Sequence, residues 1–167
     1  MFQYDGHKHK RTSRLEVPEV GKMKLLHSEN ETVVDMLEKS PLWSGLGKQD
    51  FKAIVKMAKQ HKFESGDTIV KKGEEGAGFY LVLDGAVEIR SNGNTLSRLG
   101  PGQFFGEMSV VDAQPRSADV VALEPSRVLV LSAWSFKSLI SERPRIAVKM
   151  LQEFVRRLRN TDRALSE

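Results

Sequence analysis

Apolar positions recur at helical spacing near both ends of the chain and crowd into short strand-like runs between them. Ser28-Glu-Asn-Glu31 has the form of a capping box, and Val33, Val34 and Leu37 follow at helical spacing, which predicts a short helix over about 29–39. Pro41-Leu-Trp-Ser-Gly-Leu46 interrupts that helix, and Phe51, Ile54, Val55 and Ala58 share one face of a second. Trp43, between the two, reads as a packing residue. The section 61–103 is rich in β-forming residues. Thr68-Ile-Val70, Phe79-Tyr-Leu-Val-Leu83 and Ala86-Val-Glu-Ile89 are separated by Gly66-Asp67, Gly73 to Gly78 and Asp84-Gly85. Asn92-Gly93 predicts a tight hairpin into Thr95 to Leu99, and Ala118 to Leu123 and Arg127 to Leu131 add further strands. Seven or eight short strands with glycine-rich turns predict a mainly β fold, a sandwich or jelly-roll barrel with flanking helices.

Two helices close the pattern. Ser132 is placed to cap one carrying Trp134, Phe136, Leu139 and Ile140, and Pro144 suits the first turn of the next. In that last helix Ala147, Leu151, Phe154, Leu158, Thr161 and Leu165 alternate spacings of four and three. Such an a/d seam serves either pairing with a second copy or docking on the helix's own domain. Lys149, Arg156, Arg157, Arg159 and Arg163 fall outside the seam and read as a solvated basic surface.

Composition narrows the function classes. A length of 167 residues suits one domain with extensions and a sizeable core. The absence of cysteine removes disulfides and thiolate metal or redox chemistry. Net charge +4 permits anionic partners without requiring them. Met1 to Arg14 reads as a solvated basic tail, in which His7 and His9 form an H-x-H pair with no third ligand at metal spacing, so no metal site is expected. No run reaches membrane-spanning length and the first residues carry no apolar signal core, so the expectation is a cytoplasmic protein without a membrane span.

The densest chemistry lies in Phe104 to Val120, FFGEMSVVDAQPRSADV. Gly106 removes the Cβ that would block close approach of a ligand, and Glu107 to Asp112 suit one short helical turn with free N-terminal amides. Arg116 offers a fork matched to phosphate oxygens and Ser117 a hydroxyl. Glu107, an acceptor when ionised, suits hydroxyls instead, so the implied ligand is a small ribose phosphate. The plainer alternative is a surface turn with a Glu–Arg ion pair.

FGEMSVV…PRSADV resembles the phosphate-binding cassette of cyclic nucleotide-binding domains. The resemblance implies that Glu107 holds the ribose 2′-hydroxyl and Arg116 the cyclic phosphate, with Phe105, Gly106, Met108, Ser117 and Ala118 supplying nearby contacts. PLWSGL with the helix after it is similar to that family's N-terminal helical bundle, and GDTIVKKGEEGAGFYLVLDGAVEI to its β-roll. RPRIAVKMLQEFVRRLRNTDRA resembles the long dimer helix of the bacterial catabolite activators and implies that Thr161 contacts the base. Asp162 falls where that family has a contact from the partner subunit. On this reading 1–40 is a basic tail with a short helix and 41–167 a cyclic nucleotide-binding domain, its β-roll over about 61–132 and its C-terminal helices over about 133–165. The catabolite activators continue into a helix-turn-helix domain. This sequence ends at Glu167, so direct DNA binding is not expected.

The expected function is a cyclic nucleotide receptor, not an enzyme and without a cofactor, whose C-terminal helix responds to ligand. Ser117 and Thr161 favour cAMP, with cGMP the alternative ligand. The last helix serves either a homodimer or docking on its own domain, and the sequence identifies no effector protein. The competing class is an interaction protein that keeps the fold without the ligand. An enzyme fits least, because His7, His9, His27 and His61 have no nucleophile or acid set around them and Glu107 with Arg116 lacks a third group for acid–base work.

Overall fold

Two antiparallel four-stranded sheets carry the centre of the molecule. The computed structural model describes residues 30–76 and 78–166. Within them helix α1 covers 30–38, a 3-10 turn Pro41–Trp43, and α2 Lys48–Met57. The strands are β1 Lys59–Phe63, β2 Thr68–Val70, β3 Gly78–Asp84, β4 Val87–Ser91, β5 Asn94–Leu99, β6 Phe104–Phe105, β7 Asp119–Ala122 and β8 Ser126–Ser132. Helix α3, Glu107–Asp112, lies between β6 and β7, and α4, Ala133–Glu142, and α5, Pro144–Ser166, end the fold. One sheet runs β1-β8-β3-β6 and the other β2-β7-β4-β5. This is the β-roll with helical bundle and long C-terminal helix that the sequence predicts.

The inner strands β3 and β8 of the first sheet are buried on both faces, which explains their near-continuous apolar runs. Successive side chains leave a strand on opposite sides. Phe79, Leu81, Leu83, Leu129 and Leu131 therefore join a core with Val33, Val34 and Leu37 of α1, Trp43, Phe51, Phe136, Ile146 and Met150. Val82 and Val128 point into a second core inside the roll with Val70, Val87, Leu99, Phe105 and Val120. Strand β6 divides its two residues between these cores: Phe104 faces the helices and Phe105 the roll.

The Ser132 cap and the Asn92-Gly93 hairpin follow the sequence. Ser132 Oγ accepts from the Ser135 backbone N–H at 3.1 Å at the start of α4. Asn92 and Gly93 both take positive φ, 52° and 79°, in the hairpin between β4 and β5. Trp43 is a packing residue whose Nε1 donates to the Gly102 carbonyl at 2.7 Å. Ser28, the tail 1–14 and its His7–His9 pair lie outside the described residues.

Two expectations need correction. The predicted seam of α5 mixes two faces, because Phe154 turns inward and meets the Phe104 ring edge-on at 5.7 Å between centroids. The exposed apolar stripe is instead Val148, Leu151, Val155, Leu158 and Leu165. The basic surface is not wholly solvated either, since Arg156 and Arg157 both pair with a buried Glu153 on the same helix. Strand β1 was not legible as a strand. Its KQHKF sequence is exposed over most of its length and pairs only with β8 at the sheet edge, so no apolar alternation marks it.

Candidate functional site

Strand β6 delivers the chain from the core to Gly106, which adopts φ 80° and opens α3. Only a residue without a Cβ fits there. A Cβ would lie 2.7 Å from Arg116 Nη1, 2.9 Å from the Gly78 carbonyl oxygen and 2.9 Å from the Tyr80 ring. Arg116 is itself fixed by backbone pairing: its N–H donates to the Glu74 carbonyl and its carbonyl accepts from the Gly73 N–H, both at 2.8 Å. Its guanidinium is buried, with Nη1 donating to the Gly106 carbonyl and Nη2 to the Gly78 carbonyl, each at 2.8 Å. The Tyr80 ring lies beneath it at 5.5 Å and stacks in turn on Phe105 at 4.8 Å. Among the described residues Arg116 has no carboxylate in ion-pair contact, and the hydrogen bonds of its buried guanidinium go to neutral backbone carbonyls.

Glu107, the first residue of α3, is buried with the opposite deficit. Its Oε2 has no hydrogen-bond partner, and its Oε1 lies 3.7 Å from Arg157 Nη1. Burial holds its pKa above the usual glutamate range; its own backbone N–H, Arg157 and Arg116 pull the other way without cancelling that rise. A partnerless buried acceptor costs free energy unless a donor arrives, and a ligand hydroxyl is such a donor.

These groups line one cavity of 580 Å³, within the roughly 300–1,000 Å³ usual for small-ligand sites. Every residue proposed from the sequence lines it: Phe105, Gly106, Glu107, Met108, Arg116, Ser117 and Ala118 from the cassette, and Thr161 from α5. The cassette and α5 form facing walls. Thr161 Oγ1 donates back to the Arg157 carbonyl at 3.1 Å, and Ser117 Oγ lies 3.8 Å from Met108 Sδ. A second concavity of 820 Å³ runs between α1, α2 and β1, but its charged lining, Lys52, Lys56, Lys59, Lys62 and Glu31, is exposed, and the floor is apolar Val34 and Val55.

The sequence reading missed the residues that hold α5 against the cassette. Arg157 Nη2 donates to the Phe104 carbonyl at 2.7 Å, its guanidinium lies 4.5 Å over the Phe104 ring, and its Nε donates to Glu153 Oε1 at 2.8 Å. Glu153 also takes two hydrogen bonds from Arg156, at 2.6 and 2.7 Å. Burial would raise the Glu153 pKa, but the hydrogen bonds from Arg156 and Arg157 outweigh it and leave it below the usual range. The signal was present as acid-to-base spacings of three and four on one helix. Read as a face for water, that spacing gave no hint of a buried carboxylate.

The profile of the cyclic nucleotide-binding domain matches residues 60–143, and the chain belongs to that family. It is 34% identical over 128 residues to the cyclic AMP receptor protein of Thermus thermophilus, an overlap covering 74% of this chain and 59% of that protein. To the CRP-like cAMP-activated global transcriptional regulator of Mycobacterium tuberculosis it is 28% identical over 138 residues, covering 80% of this chain and 62% of the relative. Among solved structures, the catabolite activator protein of Thermus thermophilus superposes with a TM-score of 0.68 at 34% identity, over 76% of this chain and 62% of that one. The chain thus spans about three fifths of the length of these relatives. Among the described residues no helix is long and apolar enough to cross a membrane.

Proposed function

We propose that this chain is a receptor module for a cyclic nucleotide, with cAMP the preferred ligand, bound between the cassette and α5. One observation carries the reading: a buried carboxylate oxygen without a donor and a buried guanidinium without an anion line the same cavity. A ribose cyclic phosphate answers both needs. Its phosphate completes the Arg116 fork and its 2′-hydroxyl donates to Glu107. Arg157 meets the cassette at Glu107, and the next turn of α5 brings Asn160 and Thr161 to the same cavity, so the base falls under that turn with Thr161 as its hydroxyl contact. Because the cavity has one wall on α5, ligand gains its full contacts only when that helix lies against the cassette, and it favours that state by this difference in affinity. The names of the relatives, a cyclic AMP receptor and a cAMP-activated regulator, support cAMP over cGMP.

The second partner in this reading is another copy of the chain. Val148, Leu151, Val155, Leu158 and Leu165 keep the a/d spacing along the exposed side of α5, with Asp162 in the fifth seam position, and suit a paired helix.

Calorimetric titration with cAMP and cGMP tests the ligand. Micromolar or tighter binding of cAMP is expected, with weaker binding of cGMP. Arg116→Ala should weaken it by roughly tenfold to more than a hundredfold, the range for a hydrogen bond to a charged group. A folded wild-type protein that gives no heat with either nucleotide contradicts the receptor reading.

A further inference from the structure

Glu153 is only 2% exposed and lies on α5, outside the cassette. Its Oε1 accepts from Arg157 Nε at 2.8 Å and from Arg156 Nη2 at 2.6 Å, and its Oε2 from Arg156 Nε at 2.7 Å. The far side of the Arg157 fork is fixed as well, by the Phe104 carbonyl at 2.7 Å and by the Phe104 ring. Held at both ends, the guanidinium stops with Nη1 3.7 Å from Glu107 Oε1, beyond hydrogen-bond reach. Glu107 Oε2 stays without a partner.

That standoff is unexpected on electrostatic grounds alone. An arginine beside a buried carboxylate gains most by pairing with both oxygens at once, and this geometry is common and strong. Here the carboxylate that receives the charged hydrogen bond is Glu153, and Glu107 receives only the longer-range attraction. Two carboxylates therefore compete for one guanidinium, and the helix residue wins.

We propose that Glu153 is a positioning residue: by anchoring Arg157 through its Nε it keeps the Glu107 carboxylate open to a ligand hydroxyl. This rests on the cyclic nucleotide reading above. Neutralising Glu153 frees the guanidinium to close on Glu107, and the ligand 2′-hydroxyl then has to displace a charge-assisted pair. A ligand without that hydroxyl makes no such demand, so it registers the fold and the phosphate site but not the competition.

The test is titration of the intact protein with cAMP and with 2′-deoxy-cAMP, using wild type, Glu153→Gln and the double variant Glu153→Gln/Arg157→Gln. The wild type should prefer cAMP by roughly ten- to a hundredfold, the value of a hydrogen bond to a carboxylate. Glu153→Gln should cut that preference to about threefold or less while its 2′-deoxy-cAMP affinity stays within about threefold of wild type. Removing Arg157 as well takes away the competing cation and should restore the preference. A Glu153→Gln protein that keeps the wild-type preference, or that weakens for both nucleotides alike, overturns the positioning role, since the latter is what a loosened helix alone would do. A wild type that binds neither nucleotide overturns the underlying receptor reading instead, and does so before any variant is compared.

Discussion

A buried carboxylate oxygen without a hydrogen-bond donor costs stability, and Glu107 Oε2 bears that cost. Its pKa is raised, so the folded chain holds a proton that the unfolded chain has already released over a window extending upward from the ordinary value of 4.5. Stability from this group is therefore greatest below the window and falls as pH rises through it. Asp50, Glu88 and Glu153, whose pKa values are lowered, act in the opposite sense: their contribution is present above the ordinary range and lost as pH falls through the lowered values. Glu107→Gln removes only the first effect. Urea unfolding of both proteins across a pH series should show the variant gaining on the wild type as pH rises, and parallel curves would contradict a raised Glu107. The motif made Glu107 and Arg116 legible in the sequence because both residue types and their order are specific. What it could not convey is that Glu107 Oε2 has no hydrogen-bond partner and that the Arg116 fork is held by backbone carbonyls, since that depends on where Gly78, Tyr80 and Arg157 arrive from distant elements.

At the scale of elements, α5 does two jobs with two faces. Ile146, Met150, Phe154 and Arg157 attach it to the roll, while Leu151 and Leu158 face solvent. The heptad spacing was readable in the sequence, but its phase was not. Phe154 fits a seam by spacing, and only the position of Phe104 shows that it belongs to the inner face. Leu158 is 62% exposed, so Leu158→Glu should leave the unfolding midpoint of the single chain nearly unchanged. In a paired helix the same change puts a charge in the seam and should weaken association by tenfold or more, at about 1.4 kcal/mol per decade. Sedimentation equilibrium reads this directly. A wild type that remains monomeric at high concentration would contradict the pairing. Strand β1 shows the reverse limit, because an edge strand of Lys, Gln and His is set by its backbone pairing with β8, and hydrophobic periodicity has nothing to report there.

Across the whole molecule, the sheet β1-β8-β3-β6 separates two cores and connects them at Phe104-Phe105. Phe104 packs on Trp43, Phe79 and Phe154 and accepts the Arg157 hydrogen bond, while Phe105 stacks on the Tyr80 ring that underlies Arg116. The same dipeptide thus holds the helix and supports the Arg116 guanidinium, a short mechanical route between Arg116 and α5. The apolar strands, the Ser132 cap and the Asn92-Gly93 hairpin were legible because each follows from local spacing and turn chemistry. The double role of two adjacent phenylalanines was not, because it depends on which core each side chain enters. Whether cAMP sits between the cassette and α5 is tested most directly by a crystal structure of the protein grown with cAMP. The cyclic phosphate is expected on Arg116, the 2′-hydroxyl donating to Glu107 Oε2, and the base under α5 beside Thr161. Nucleotide bound elsewhere, such as in the lysine-lined concavity beside α2, with Glu107 Oε2 still unpartnered, would contradict it.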